Sequence, residues 1–209
     1  MTNEAQPQAG ESDRRKAAAI AGHREDQQAA RQALTDDSGS VRATALGALA
    51  RMGALQEPDV RAASGDRDAR VRARAAELAA TLEPDRALPL LRQTLNDRDA
   101  PVVEAACFAL GELGEASAPA VERLSDIVRQ HREPLCREAA VAALGAIGDP
   151  AGLPAILDAT TDKPAVRRRA VIALAPFSGD EVDAALQRAL EDRDWQVRQA
   201  AEDLTGTVT

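Results

Sequence analysis

Aromatic residues are nearly absent from this sequence. Of 209 residues only Phe108, Phe177 and Trp195 carry such a ring, and there is no Tyr. Any core must therefore be built from Ala, Leu, Val and Ile. The two cysteines, Cys107 and Cys136, cannot make a disulfide framework. The two histidines, His23 and His131, lie far apart in the chain, and no Cys or His pair has metal-ligand spacing. No apolar run reaches the roughly 18 residues of a membrane span, and no basic start leads into a leader-type apolar region. Neither a G-x-S-x-G turn nor a Gly-rich phosphate loop occurs. Val, Ile, Thr and the aromatics form no alternating runs, which argues against a sheet.

What is present is a globular balance: 44% apolar and 29% charged residues, with Ala the commonest residue. Alanine favours helix. Asp and Glu outnumber Lys and Arg 34 to 26, a formal charge of −8. Lys occurs only as Lys16 and Lys163. The preference for Arg suits a GC-rich bacterial genome, and the lack of a leader predicts a cytoplasmic protein.

One pattern recurs: an acidic turn, Val-Arg, small and apolar residues, then Leu-Gly-x-Leu-Gly. The clearest copies span residues 36–53, 97–114 and 131–148, and weaker ones span 66–82, 161–178 and 192–206. With the Val of each copy as anchor (position 0), the anchors are Val41, Val71, Val102, Cys136, Val166 and Val197, spaced 30, 31, 34, 30 and 31 residues apart. Six units of near-constant length predict a solenoid. Each unit reads as two helices. In the third, the small or apolar positions +4, +8 and +11 are Ala106, Leu110 and Leu113, one face of an α-helix. Gly53, Gly114 and Gly148 at +12 suit a left-handed helix end. Shorter first helices are expected over 84–95, 119–130, 150–160 and 180–190, several opening on Pro. Asp-x-Asp loops then cap the second helices. Residues 1–12 are polar and read as a disordered tail. Residues 13–21 read as a short N-terminal capping helix, with Gly22 and His23 as its turn. Residues 13–209 are expected to form a single domain, with Trp195 covering the end of its core.

The motif Asp-x-Asp-x-x-Val-Arg-x-x-Ala-x-x-Ala-Leu-Gly-x-Leu-Gly resembles HEAT repeats, specifically the short type named after phycobilisome-lyase subunits. The resemblance covers residues 24–206. It implies an all-α fold, a right-handed α-α superhelix of about six two-helix repeats. It also implies a binding scaffold in most cases and an enzyme or enzyme subunit in a few.

Loop carboxylates and arginines stand six apart in several copies: Asp36/Arg42, Asp66/Arg72 and Asp192/Arg198. The third copy has Asp97 with Val103, the fourth His131 with Arg137, the fifth Thr161 with Arg167. Such residues can hydrogen-bond, and stacked copies would form a ladder between repeats. The alternative is an anion-binding Arg row. Arginines also cluster at 67, 70, 72 and 74 and at 167–169. A nucleic-acid scaffold would use such clusters, but the net acidity and lack of stacking aromatics oppose it.

In this architecture the second helices line the concave face. At about 100° per residue, position +6 falls opposite the core positions. Its occupants are Gly47, Glu77, Phe108, Ala142, Ile172 and Asp203, and +2 also points outward. The groove is thus expected to carry Phe108 flanked by Glu104, Glu112 and Glu138, and to end in Ile172 with Arg168. An aromatic anchor with a charged rim is what a peptide or protein site looks like. The other reading buries Phe108 between neighbouring helices. The expected function is a non-enzymatic, monomeric adaptor for a protein or peptide of some basic character. No cofactor, metal or membrane is expected. The alternatives are an auxiliary subunit of a bilin-handling lyase and a nucleic-acid-binding repeat protein.

Overall fold

The computed structural model describes residues 10–206. Every regular element among them is a helix: thirteen α-helices and two 3-10 turns. They group into two compact units, one up to Leu78 and one from Ala79. Where the sequence predicts a single domain, the division falls inside a helix rather than in a linker.

The first unit holds α1 (Glu11–His23), α2 (Gln27–Ala33), α3 (Gly39–Arg51), α4 (Glu57–Ser64) and α5 (Ala69–Ala79, whose last residue crosses the division). Helix α1 begins two residues earlier than expected. It also continues through Gly22 and His23, which the sequence reads as a turn. A Cβ on Gly22 would lie 2.9 Å from the Ala48 Cβ, so this glycine serves a close helix contact rather than a bend. Residues 1–9 of the expected tail lie outside the described residues. Helix α1 packs on α3 just as α7 packs on α9 in the second unit. It is therefore a second-type helix that stands in front of the first full repeat.

The second unit holds α6 (Pro84–Thr94), α7 (Ala100–Glu112), α8 (Val121–Gln130), α9 (Pro134–Ile147), α10 (Leu153–Ala159), α11 (Pro164–Ala173), α12 (Asp180–Leu190) and α13 (Trp195–Thr205). Second helices stack in sequence order, α7 on α9, α9 on α11 and α11 on α13, while α8 packs on α10. Of the prolines expected to open first helices, Pro84 does so. Pro119 and Pro150 instead sit in the 3-10 turns Gly114–Ala120 and Pro150–Gly152 that lead into α8 and α10.

The periodicity explains the packing. Leu49, Leu110, Leu144 and Leu174, all at +8, are at most 1% exposed. Burying one leucine stabilises the fold by about 1.5–3 kcal/mol. Position +5, filled by Leu46, Ala76, Cys107, Val141 and Val171, is buried in every copy but the last. In α13 the same two rows carry Glu202 and Thr205. Among the described copies, the last is the one in which both rows are polar. Trp195, expected to cover the core, is 64% exposed and does not. The first turn of α13 points its ring away from the stack, and the cluster of Val171, Ala189, Val197, Ala200 and Ala201 closes without it.

Small residues let the helices approach closely. A Cβ on Gly145 of α9 would come within 2.7 Å of the Ala173 Cα on α11. Gly148 ends α9 at φ 70°, a left-handed conformation that costs glycine nothing.

Candidate functional site

The Asp/Arg motif forms inter-repeat cross-links. Arg42 donates through Nε and Nη2 to the Asp66 carboxylate at 2.8 and 2.6 Å. Its Nη1 donates to the carbonyls of Asp36 and Asp37 in its own repeat. Arg167 repeats the pattern, with its fork on Asp192 at 2.8 and 2.7 Å and Nη1 on the Asp162 carbonyl. Within one copy, then, arginine meets the aspartate's backbone, not its side chain. The carboxylate belongs to the next copy. Arg72 and Arg198 keep the backbone contact, to the Asp66 and Asp192 carbonyls, both at 2.8 Å.

Each ladder aspartate also accepts a backbone N–H from its own loop: Asp66 from Asp68, Asp97 from Asp99, Asp192 from Asp194. The second aspartate of the loop does the capping, as Asp68 and Asp194 do for Arg70 N and Gln196 N. Asp99 makes no such cap bond. The position that would donate is Pro101, which has no N–H. These contacts set the acidities. The Arg14 and Arg167 forks hold Asp36 and Asp192 below the usual carboxylate range. For Asp66, burial pushes upward, but Arg42 and the Asp68 N–H outweigh it. The Arg70 guanidinium takes Asp68 down to about 2.

Two ladder members lie where the motif alignment does not place them. Arg14 of α1 forks onto Asp36 at 2.7 and 3.2 Å. In the fifth copy the acceptor is Asp162 rather than Thr161, held by Arg137 at 2.6 and 2.8 Å. Both departures are readable in outline: an Arg stands 28 residues before Arg42, and an Asp directly follows Thr161. One rung lacks both side chains. Val103, 1% exposed, stands where the arginine belongs, and His131 stands where the next copy's aspartate belongs. Successive first helices have cross-links of their own, Arg31 to Asp59 and Arg129 to Asp158, which the repeat motif does not contain.

The arginine clusters are largely consumed by these contacts. Arg72 and Arg167 are 7% and 5% exposed. Arg70 pairs with Asp68, Arg74 with Glu77, and Arg67 donates to the Asp37 carbonyl. The Nη2 atoms of Arg168 and Arg169 lie 3.9 and 3.7 Å from the Glu138 carboxylate. A row of free cations for phosphates is not what these side chains form. Both cysteines are buried. Burial raises both thiols, Cys136 to about 11, and Cys136 donates to the Ala100 carbonyl. Both shifts disfavour the thiolate, the reactive form of cysteine. No group of three or more His, Cys, Asp or Glu among the described residues could hold a metal ion.

The outward stripe of the second helices is different in kind. Phe108 is 64% exposed and Ile172 43%. Leu135, 61% exposed at position −1 of α9, lies on the same angular stripe and escaped the sequence reading, which began at the anchor. Glu104 and Glu112 stand one turn before and one turn after Phe108 on α7, half-buried and exposed respectively. Glu138 is on α9, paired as above. The expected groove residues thus fall on three successive stacked helices, α7, α9 and α11.

The sequence model of HEAT repeats matches residues 57–129 and 121–204. The chain belongs to the HEAT-repeat family. Among curated proteins, none matches it in sequence. Solved structures do match. The X-ray structure of YibA from E. coli is 20% identical, with a TM-score of 0.67 over 95% of this chain and 75% of that one. The complex of CpcE and CpcF of phycocyanin lyase from Nostoc is 23% identical, with a TM-score of 0.61 over 96% and 77%. A designed armadillo repeat protein in complex with a (KR)4 peptide is 18% identical, with a TM-score of 0.60 over 95% and 99%. These likenesses establish the all-α, α-α superhelix class of the fold. No helix of this HEAT-repeat chain, among the described residues, is long and apolar enough to cross a membrane.

Proposed function

We propose that this chain is a non-enzymatic, cytoplasmic adaptor that binds a protein or peptide across the outward face of α7, α9 and α11. The observation that carries the reading is the exposure of Phe108, Leu135 and Ile172 on one stripe of a stacked unit. Large apolar side chains add nothing to stability when left in water, and an aromatic anchor within a charged rim is the usual composition of an interface centre. The alternatives gain less support. The auxiliary lyase-subunit reading rests on a likeness of fold. A nucleic-acid scaffold would need free cations, and Arg67, Arg70, Arg72, Arg74 and Arg167 are each engaged with a carboxylate or a carbonyl.

The test is affinity capture from the source lysate with wild type beside the Phe108→Arg plus Ile172→Glu double variant, folding checked by circular dichroism. A protein held by wild type and released by the folded variant supports the reading. Identical capture by both overturns it and moves attention to Trp195.

A further inference from the structure

Among the carboxylates expected around the groove, Glu138 is already answered by Arg168 and Arg169. Glu104 and Glu112 are not: no ion pair joins either to another described residue. Between them stands Phe108, 64% exposed. The three form an acidic–aromatic–acidic row along α7, each about one turn from the next and rotated about 40° around the helix. We infer that this row is a recognition site for arginine side chains, presented at alternate positions of an extended segment of the partner. The inference rests on the adaptor reading and adds to it the chemistry and direction of the ligand.

Three features of this row point to arginine. The first is charge. Two unpaired carboxylates on a chain of net charge −8 attract a cation and repel an anion. The second is the ring. An exposed aromatic face binds a cation, and a guanidinium binds it best, since its plane can stack on the ring while its edge donates to a carboxylate. The third is register. On a helix, residues four apart rise about 6 Å. On an extended chain, side chains on one side recur every ~6.7 Å. Three alternate side chains of a strand that crosses α7 obliquely, following that drift of about 40°, would therefore meet Glu104, Phe108 and Glu112 with an axial mismatch of ~0.7 Å per step.

The probe is a fluorescein-labelled peptide, Gly-Arg-Ser-Arg-Ser-Arg-Gly, read by fluorescence anisotropy. Its controls are the same composition with contiguous arginines, the lysine version and the citrulline version. The alternating arginine peptide should bind most tightly, with lysine weaker and citrulline not binding. Phe108→Ala should weaken it by about tenfold. Glu104→Gln plus Glu112→Gln should do so by tenfold or more and flatten its salt dependence. Glu181→Gln plus Asp183→Asn, exposed on α12, removes the same charge and should leave binding unchanged. Equal loss from the α12 variant would show mere attraction to an acidic protein and overturn the site. Binding of the contiguous peptide as tight as the alternating one would overturn the extended register. Should no arginine peptide bind while a lysate protein is captured through Phe108 and Ile172, the arginine inference fails and the adaptor reading stands. If that capture also fails, both fall.

Discussion

Up to Leu78, the outward stripe of α3 and α5 carries no large apolar side chain. It holds Ala43, Gly47 and Ala73, with Ser40, Arg51, Arg70 and Glu77 as its polar positions. From Ala79 on, the same register positions carry Phe108, Leu135 and Ile172, with the free carboxylates of Glu104 and Glu112. Behind this stripe the two units are alike. Each has two Arg–Asp rungs of the same geometry, Arg14–Asp36 and Arg42–Asp66 in the first, Arg137–Asp162 and Arg167–Asp192 in the second. The difference separates two kinds of information in one repeat. Positions that recur hold neighbours together, and positions that break the recurrence in the outward direction are where a partner can be read.

The comparison predicts that ladder variants cost stability and stripe variants do not. The largest effect is expected from Arg167→Ala. It leaves Asp192 without its fork in a nearly buried setting and should destabilise by about 3–5 kcal/mol, read as a lower urea midpoint. Arg198→Ala, which removes a backbone contact but no carboxylate fork, should cost about 1 kcal/mol. Equal losses would break the claim that the inter-repeat fork is what matters.

The empty rung gives a sharper version. Val103→Arg alone should destabilise by about 3 kcal/mol by burying an unpaired cation. Combined with His131→Asp it should recover part of that, a coupling of roughly 1–3 kcal/mol in a double-mutant cycle. No coupling would mean that 103 and 131 are not a vacant ladder rung. Gly145→Ala forces α9 away from Ala173 and should cost about 1–3 kcal/mol, measured by thermal unfolding.

Acid acts on the ladder of both units together. Asp36, Asp66, Asp68, Asp162 and Asp192 are held below their ordinary values in the folded chain. Depressed carboxyls contribute stability that is complete above the unfolded value of about 3.9. It is lost as pH falls through the folded values, down to about 2 for Asp68. Urea midpoints should therefore stay level from pH 7 to 5 and drop between 4 and 2. The smallest effect is expected on the stripe itself. Phe108→Ser should change stability by no more than about 0.5 kcal/mol, and a larger loss would mean that the ring belongs to the core.

The repeat was legible because it is written in residue types: Val anchors, leucines at +8, Asp-x-Asp turns. The exposure of Phe108 and Ile172 followed from the same phase argument. What escaped had a physical cause in each case. Arg14 lies outside any complete repeat, so no motif marked it. Asp162 is one residue out of register, which the long Arg137 side chain can span and an alignment does not allow for. Leu135 precedes the anchor, where the first turn of a helix gives little periodicity to read. Trp195 reads as a cover from its place in the last Asp-x-Asp loop, but it is exposed and the cluster of Val171, Ala189, Val197, Ala200 and Ala201 packs without it.

The span of the rungs also has a temporal meaning. Each fork joins residues only 22 to 25 positions apart. During synthesis at roughly 5–20 residues per second, an arginine that has emerged waits about one to five seconds for its aspartate. The unit up to Leu78 can thus lock rung by rung while the helices that carry Phe108, Leu135 and Ile172 are still being made.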